Sequence, residues 1–246
     1  MPLPTTKELV AHCLRQFKNR PKDWKRPFPV HHVVNFMPET VLAEVRKLPV
    51  QPKDMTGARA HNNANRTYFT ADFQEKYPVA KLIAEVFQHA DIVKILARSC
   101  NGDLDNTHLL LELACDQGPS MLVPHRDIGT KRFTGLFYVA NDPRLKTAGT
   151  DIFTAQKVYL DEIVAAAKEN GDAPRKFFKE KTRRVIYGPG IGYYFVPTEI
   201  SWHGFDAREI VGERKTLIVN YLGVSNTGEH YRNVQNLCFP GKAVRL

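Results

Sequence analysis

The sequence predicts a mainly β protein in which helices buttress a β-sandwich or barrel. Residues before about position 107 show the periodicity and the capping patterns of helices. Beyond that point, short apolar runs alternate with turn residues, which is typical of all-β architectures. No repeat or low-complexity linker interrupts the 246 residues. We therefore expect a single domain, 1–246, with a helix-rich part (1–106), a β core (107–223) and a C-terminal tail (224–246).

The helix-rich part contains specific start signals. Thr5 and Glu8 form a capping-box pattern ahead of an amphipathic run. Pro38 stands where a first helical residue is expected, and it opens the apolar-periodic stretch PETVLAEVRKL. Two further helices are predicted over Pro78–His89 and Ile92–Arg98.

The β core consists of short runs, and one earlier strand is predicted at HHVVNF. The core runs are THLLLELAC, SMLVPHRD, RFTGLFYVA, TDIFTA, RVIYG, GYYFVP, HGFDAREI and RKTLIVNYLGV. An insertion, Gln156–Arg184, interrupts them with the helical stretch VYLDEIVAAAKENG and a basic segment. The β-runs are therefore expected to pack together around this insertion.

The charge and the apolar pattern limit the functional classes. The formal net charge is +9, which permits anionic partners, but the basic residues are mostly dispersed and do not form the stripe of a nucleic-acid-binding surface. No apolar run approaches the length of a membrane span, and the N-terminus lacks the pattern of a signal peptide. We therefore expect a cytoplasmic protein with no membrane partner.

The cysteines indicate a reducing environment. Cys13, Cys100, Cys115 and Cys238 show neither metal-hairpin nor redox spacing. Cys13 and Cys115 lie in apolar periodic stretches, so we expect buried thiols there.

The stretch VPHRDIG carries the first candidate site residues. His125 and Asp127 are two residues apart, so on a strand they share a face. Alone, such a pair is more often an ordinary strand feature than a ligand set, and the same holds for His203. Together, two imidazoles and one carboxylate can occupy one face of an octahedral Fe(II) and leave positions open for other ligands.

The strand RKTLIVNYL carries a second candidate group. Arg214 and Thr216 share a face of this strand. A guanidinium can bind a carboxylate through two parallel hydrogen bonds, and a hydroxyl can add another. A dicarboxylic oxo acid could therefore chelate the metal at one end and contact Arg214 at the other.

These residues resemble a known family in their order. The order is His-x-Asp, then a distal His, then Arg-x-Thr about one strand later. This order resembles that of the Fe(II)/2-oxoglutarate-dependent dioxygenases, in particular the prolyl-4-hydroxylase-like branch. The resemblance implies Fe(II) bound by His125, Asp127 and His203, 2-oxoglutarate bound by Arg214 and Thr216, and O₂ as the second co-substrate. It also implies a double-stranded β-helix, a jelly-roll or cupin-like core, with helices against one face.

The flanking segments extend the resemblance over about Pro29–Gly223. GLFYVAND with the later GTDIF is similar to the family's strand, Asn-containing turn and glycine-led strand. GPGIGYYF is similar to its Gly-aromatic strand, and PVHHVVNFMPETVLAEV to its opening strand and helix.

Several positions depart from the family pattern. The family's Tyr ten residues before the first His is Cys115 here, so Tyr138 or Tyr194 is expected to contact the oxo acid instead. Asp151 replaces an apolar residue, and it either contacts substrate or caps a turn. The Gln156–Arg184 insertion is a candidate lid.

The family implies hydroxylation of an unactivated C–H bond, with succinate and CO₂ as co-products. The substrate would be a polar or anionic small molecule or an amino-acid residue of a peptide. Asp127 favours hydroxylation over halogenation, because related halogenases have a small residue there. Arg66, in NNANRTYF, is either a substrate contact or an ordinary surface arginine.

Two alternatives stay open. One is a nucleic-acid demethylase of the same chemistry, which RKTLIVNYLGV disfavours because it lacks that branch's second arginine. The other is a non-catalytic jelly-roll protein that binds a metal.

Overall fold

A computed structural model of the chain describes residues 2–50, 65–127, 129–180, 182–223 and 234–246. The α-helices are α1 (Thr6–Lys18), α2 (Glu39–Arg46), α3 (Ala71–Lys76), α4 (Pro78–Gln88), α5 (Ala90–Cys100) and α6 (Leu160–Asn170). The strands are β1 (His31–Val33), β2 (Arg66–Tyr68), β3 (His108–His125), β4 (Lys131–Tyr138), β5 (Asp151–Ile152), β6 (Arg183–Arg184), β7 (Gly192–Phe195) and β8 (His203–Leu222). Most of the stretch MTGARAHNNANRTYF and the first ten residues of the predicted tail, 224–233, lie outside the described residues.

Two long strands organise the sheet. β3 and β8 pair antiparallel from His108 opposite Leu222 to His125 opposite His203. The sequence predicts each of them as two separate strands, whereas the structure joins each pair through a bend. Gly118 (φ 60°) and Gly212 (φ 90°) lie at the bends, where the left-handed backbone favours glycine.

The other strands complete a curled sheet around this pair. The strand order is β1-β7-β4-β8-β3-β2, and β5 joins the His203 end of β8 and carries β6 on its other edge. The curled sheet has two facing layers. Each long strand therefore lies with one half in one layer and, beyond its bend, with the other half in the other layer. This arrangement confirms the predicted mainly β fold with a double-stranded β-helix core.

The helices cover the outer face of the sheet. Alternate residues of the central strands, among them Leu111, Phe137 and Val219, pack into one apolar core with α1, α4 and α5. The opposite residues, among them Leu136 and Ile218, face the interior of the curled sheet. The predicted helical buttress is thus present.

The helix start signals are largely confirmed. Both hydrogen bonds of the Thr5–Glu8 capping box are present. Pro38 is the N-cap and not the first helical residue, because its ψ of 149° is extended. Helix α3 was not predicted from the sequence, although Thr70, whose hydroxyl accepts a hydrogen bond from the Phe73 amide, is a recognisable cap.

The insertion is attached to the strand end that carries His125. The Arg126 amide donates to the Gly171 carbonyl (2.9 Å), and the Ala173 amide donates to the Pro124 carbonyl (2.9 Å). Ile163 of α6 is buried in a small apolar cluster with residues that directly flank strands, including Phe153 after β5 and Trp202 before β8. The predicted lid segment therefore lies beside the metal-ligand candidates; its role as a lid stays a prediction.

The cysteines are free thiols. Cys13 and Cys115 are buried, as expected, and so is Cys238. Burial raises the pKa of each of these thiols, and that of Cys100, to about 12. No helix in the described part of the chain is long and apolar enough to cross a membrane.

Asp151 has a structural environment. Its carboxylate is fully buried, accepts from Arg184 Nε (2.6 Å) and from Arg208, and also accepts from the Asp206 amide (3.0 Å). It thereby ties β5 to β6 and β8. Of the two sequence interpretations, these contacts favour a structural role over a substrate contact.

We expect Asp151→Ala to destabilise the fold by at least about 3 kcal/mol, because it leaves guanidinium groups without their buried partner. Urea unfolding measures the effect. Glu44→Ala is the matched control, because the Glu44–Lys47 pair lies at the surface, and it should change the free energy of unfolding little. Equal stability of Asp151→Ala and the wild type would contradict this structural role.

Candidate active site

The structure brings His125, Asp127 and His203 together. His125 ends β3, His203 begins β8, and the two are register partners. Asp127 follows β3 by two residues. One ligand atom from each of the three residues lies within 4.8 Å of the others, and the imidazole centroids are 4.3 Å apart.

Backbone carbonyls orient both imidazoles. His125 Nδ1 lies 3.0 Å from the Val123 carbonyl, and His203 Nδ1 lies 3.0 Å from the Ser201 carbonyl. A carbonyl can only accept, so each Nδ1 carries the proton. This tautomer leaves each Nε2 lone pair available for a metal.

The charge states also suit a cation. Burial lowers the pKa of His125 to about 3, and the nearby His203 contributes to this. Burial likewise lowers the pKa of His203. Burial opposes ionisation of Asp127, but Lys131 and the two imidazoles lower its pKa overall. At neutral pH the cluster therefore presents two neutral imidazoles and one carboxylate.

Two side chains of β4 hold the Asp127 carboxylate. Lys131 Nζ donates to Oδ1 (2.6 Å), and Thr134 Oγ1 donates to Oδ2 (2.6 Å). Thr134 Oγ1 also lies 3.2 Å from Asn220 Oδ1, and Asn220 Nδ2 donates to Glu112 Oε1 (3.3 Å). Each Asp127 oxygen keeps a further lone pair that could bind a metal. This network was not predicted from the sequence, because Lys131 and Thr134, Asn220 and Glu112 come from three different strands.

Arg214 lies inside the curled sheet and lines the same pocket as the three ligand candidates. Its Nε donates to the Ala148 carbonyl (2.5 Å), Nη1 to Asp116 Oδ2 (2.7 Å) and Nη2 to Thr150 Oγ1 (3.3 Å). The rings of Tyr138, Tyr187 and Phe205 surround the guanidinium at 5.0–5.7 Å. The described residues thus use three of its five N–H groups, and two remain for a ligand.

Thr216 adds an unsatisfied hydroxyl to the interior. It lies two residues after Arg214 on the same strand face, opposite Ala114 and Tyr138 in the register. Its Oγ1 is buried and has no hydrogen-bond partner among the described residues. A buried hydroxyl without a partner is costly, so this atom fits a site for a polar ligand.

The structure distinguishes the two tyrosines that the sequence left as alternatives. Tyr138 faces the interior, where its hydroxyl donates to Thr150 Oγ1 (3.0 Å). Tyr194 faces the helices and accepts a hydrogen bond from Ser99 (3.0 Å). Cys115 also belongs to the helix-side core, so its neighbour Asp116 is the β3 residue that contacts Arg214.

Arg66 lies in the wall of this pocket. Its Nη1 donates to Glu112 Oε2 (2.7 Å), and its Nε is buried with no partner in the described part of the chain. The pocket brings together all the sequence-predicted site residues except Thr216, which lies beside it on β8. The pocket is lined by Arg66, Glu112, Leu122, His125, Asp127, Lys131, Thr134, Leu136, Thr150, His203, Phe205, Arg214 and Ile218.

We expect Asp127→Ala and His203→Ala to weaken divalent-metal binding, because each removes one ligand. The loss should exceed the roughly 10–100-fold typical of removing an outer hydrogen-bond partner. Titration with Co(II), followed by its visible absorption, measures the affinity. His89→Ala removes an exposed imidazole far from the cluster in sequence and is the control. Unchanged Co(II) affinity in both ligand variants would contradict the assignment.

Comparison with known proteins identifies the fold. No family model matches the chain, and no curated protein matches it. Among solved structures, a non-haem α-ketoglutarate-dependent epimerase, SnoN from nogalamycin biosynthesis, is similar with a TM-score of 0.54 and 13% identity, over 97% of this chain and 95% of that chain. A prolyl 4-hydroxylase from Phytophthora capsici has a TM-score of 0.53 and 10% identity, over 94% of this chain and 69% of that chain.

A third similar structure is the prolyl hydroxylase of Trichoplax adhaerens in complex with a peptide fragment of a hypoxia-inducible factor. Its TM-score is 0.52 with 10% identity, over 88% of this chain and 90% of that chain. At such identities the likeness shows the fold alone, which is the one expected from the sequence.

Proposed function

We propose that this protein is a non-haem Fe(II)- and 2-oxoglutarate-dependent dioxygenase that hydroxylates an unactivated C–H bond. The observation that carries the proposal is one pocket with two kinds of group. It holds a two-histidine, one-carboxylate cluster and, in its interior, an arginine with N–H groups to spare. The solved structures that share the fold include enzymes described as α-ketoglutarate-dependent and as prolyl hydroxylases.

The three ligand candidates fit Fe(II). His125 and His203 would contribute Nε2, because a backbone carbonyl fixes the proton on each Nδ1. Asp127 would contribute one carboxylate oxygen while Lys131 and Thr134 hold its orientation. Such a set occupies one face of the metal, and Fe(II) bound there supplies the redox chemistry with O₂.

The interior groups fit the distal carboxylate of 2-oxoglutarate. Arg214 would donate its remaining N–H groups, and the Thr216 hydroxyl would gain the partner that it lacks. Asp116 and Thr150 fix the guanidinium before the ligand arrives. Pre-organisation of this kind lowers the entropic cost of binding. Tyr138 lies over the guanidinium and shares the Thr150 hydroxyl with it, so it is the tyrosine that we assign to this site.

The proposed reaction consumes substrate, 2-oxoglutarate and O₂, and it yields an alcohol, succinate and CO₂. One oxygen atom enters the alcohol, and the other enters the new carboxylate of succinate.

Asp127 supports hydroxylation over halogenation. A halide would need an open position on the metal, and the Asp127 carboxylate would occupy that position. The apolar walls formed by Leu136, Phe205 and Ile218 would keep water away from the reacting centre. The substrate is a small molecule or a peptide, and a nucleic acid is not expected.

We expect Thr216→Val to raise the Kd of 2-oxoglutarate by about 10–100-fold, the equivalent of one hydrogen bond to a charged carboxylate. It should leave the free energy of unfolding unchanged or slightly increased, since the hydroxyl has no partner among the described residues. Calorimetric titration of the metal-loaded protein measures the Kd.

Thr130→Val is the matched control for this variant. Thr130 also has a buried hydroxyl without a partner in the described part of the chain, but it lies in the turn before β4. We expect its 2-oxoglutarate affinity to equal that of the wild type. Equal effects of the two substitutions would contradict the assigned role of Thr216.

A further inference from the structure

The charges in the pocket compensate one another. Each cationic side chain of the pocket wall contacts a carboxylate, in the pairs Arg66–Glu112 (2.7 Å), Lys131–Asp127 (2.6 Å) and Arg214–Asp116 (2.7 Å). The charge of a divalent metal and the charge of a dianionic oxo acid would also cancel each other. The complete site would therefore have no excess charge to attract a simple anion or a simple cation.

The Arg66–Glu112 pair is the one whose carboxylate contacts neither a metal-ligand candidate nor Arg214 directly. Asp127 belongs to the metal cluster, and Asp116 fixes Arg214. Glu112 lies on the interior face of β3 with a side chain that is 3% exposed. Arg66 lies on the neighbouring edge strand β2, and its side chain is 19% exposed. Both side chains line the pocket that contains the metal-ligand candidates.

This pair keeps unused hydrogen-bonding capacity of both signs. Arg66 Nε is buried without a partner among the described residues, whereas Nη1 already donates to Glu112 Oε2. Glu112 Oε1 accepts one long contact, 3.3 Å from Asn220 Nδ2, and a carboxylate offers about four acceptor positions. Unsatisfied buried polar groups are costly, so a partner for these positions would be stabilising. The donor of Arg66 and the acceptors of Glu112 lie close together, which suits a ligand that carries an acceptor and a donor close together.

We infer that the substrate is a free α-amino acid, whose carboxylate binds Arg66 and whose ammonium binds Glu112. The inference rests on the proposed function, since it assigns the substrate of that same pocket. A zwitterion matches both the adjacent opposite charges of the pair and the absence of excess charge in the pocket. A residue within a peptide has neither terminal charge and would leave both groups with neutral partners. The side chain of the amino acid would then carry the C–H bond towards the metal cluster.

The experiment is an anaerobic titration of the Fe(II)- and 2-oxoglutarate-loaded protein with the free L-amino acids, followed by the visible absorption of the metal–oxo acid complex. For each amino acid that perturbs the band, its N-acetyl and its carboxamide derivatives are titrated in parallel. We expect at least one free amino acid to shift the band and both of its derivatives to bind at least about tenfold more weakly, since each lacks one charge-assisted hydrogen bond.

Glu112→Gln isolates the proposed ammonium contact. Glutamine keeps the shape of the side chain and a carbonyl for Arg66, but it removes the negative charge. The metal–oxo acid band reports whether the site of the variant is folded, and in the folded variant we expect the preference for the free amine over the N-acetyl derivative to be lost. Glu44→Gln alters an exposed carboxylate paired with Lys47 and should keep that preference.

The outcomes separate this inference from the proposed function. If the band forms but no free amino acid perturbs it, or if the blocked derivatives bind equally well, the amino-acid substrate is wrong and the oxygenase assignment stands. If no band forms, calorimetry with the same amino acids and no added metal decides. Binding that depends on Glu112 would then support the amino-acid site without the oxygenase chemistry, and no binding would overturn both.

Discussion

The antiparallel register between β3 and β8 is the constraint on which the site depends. It places His125 opposite His203 at one end of the pair and Asp116 opposite Arg214 beyond the bends. A shift of one residue would turn every side chain of a strand to the other face and would exchange the pocket residues for the helix-side core. The glycines at the two bends allow both strands to leave one layer and enter the other while they stay paired.

Ion pairs make a polar interior tolerable. Buried charges are costly unless they are paired, and here each pocket cation meets a carboxylate, Arg66 and Arg214 on a neighbouring strand and Lys131 four residues away in sequence. These pairs also fix geometry, since Asp116 orients Arg214 and Lys131 orients Asp127. The proposed catalytic and binding groups are thus positioned before any ligand arrives.

The architecture and the metal-ligand candidates could be predicted from the sequence, because they depend on local patterns. Helix caps, turn residues and the two-residue spacing of His125 and Asp127 are all short-range signals. The partners Asp116 and Glu112 could not be predicted, since each depends on a contact between strands distant in sequence. The choice between Tyr138 and Tyr194 could not be made either, because it depends on which of the two side chains lies on the inner face of the curled sheet. The joining of predicted strand pairs into β3 and β8 was missed because the bends at Gly118 and Gly212 resemble turns.

The most direct test of the central claim is an anaerobic titration of the wild-type protein with Fe(II) and 2-oxoglutarate, followed by visible absorption, with Arg214→Lys alongside. We expect a weak charge-transfer band that saturates at one equivalent of oxo acid in the wild type. In Arg214→Lys the same band should need a higher oxo acid concentration, since lysine keeps the charge but loses the paired N–H groups. Iron binding without any such band would contradict the account and would leave a metal-binding jelly roll with a different ligand.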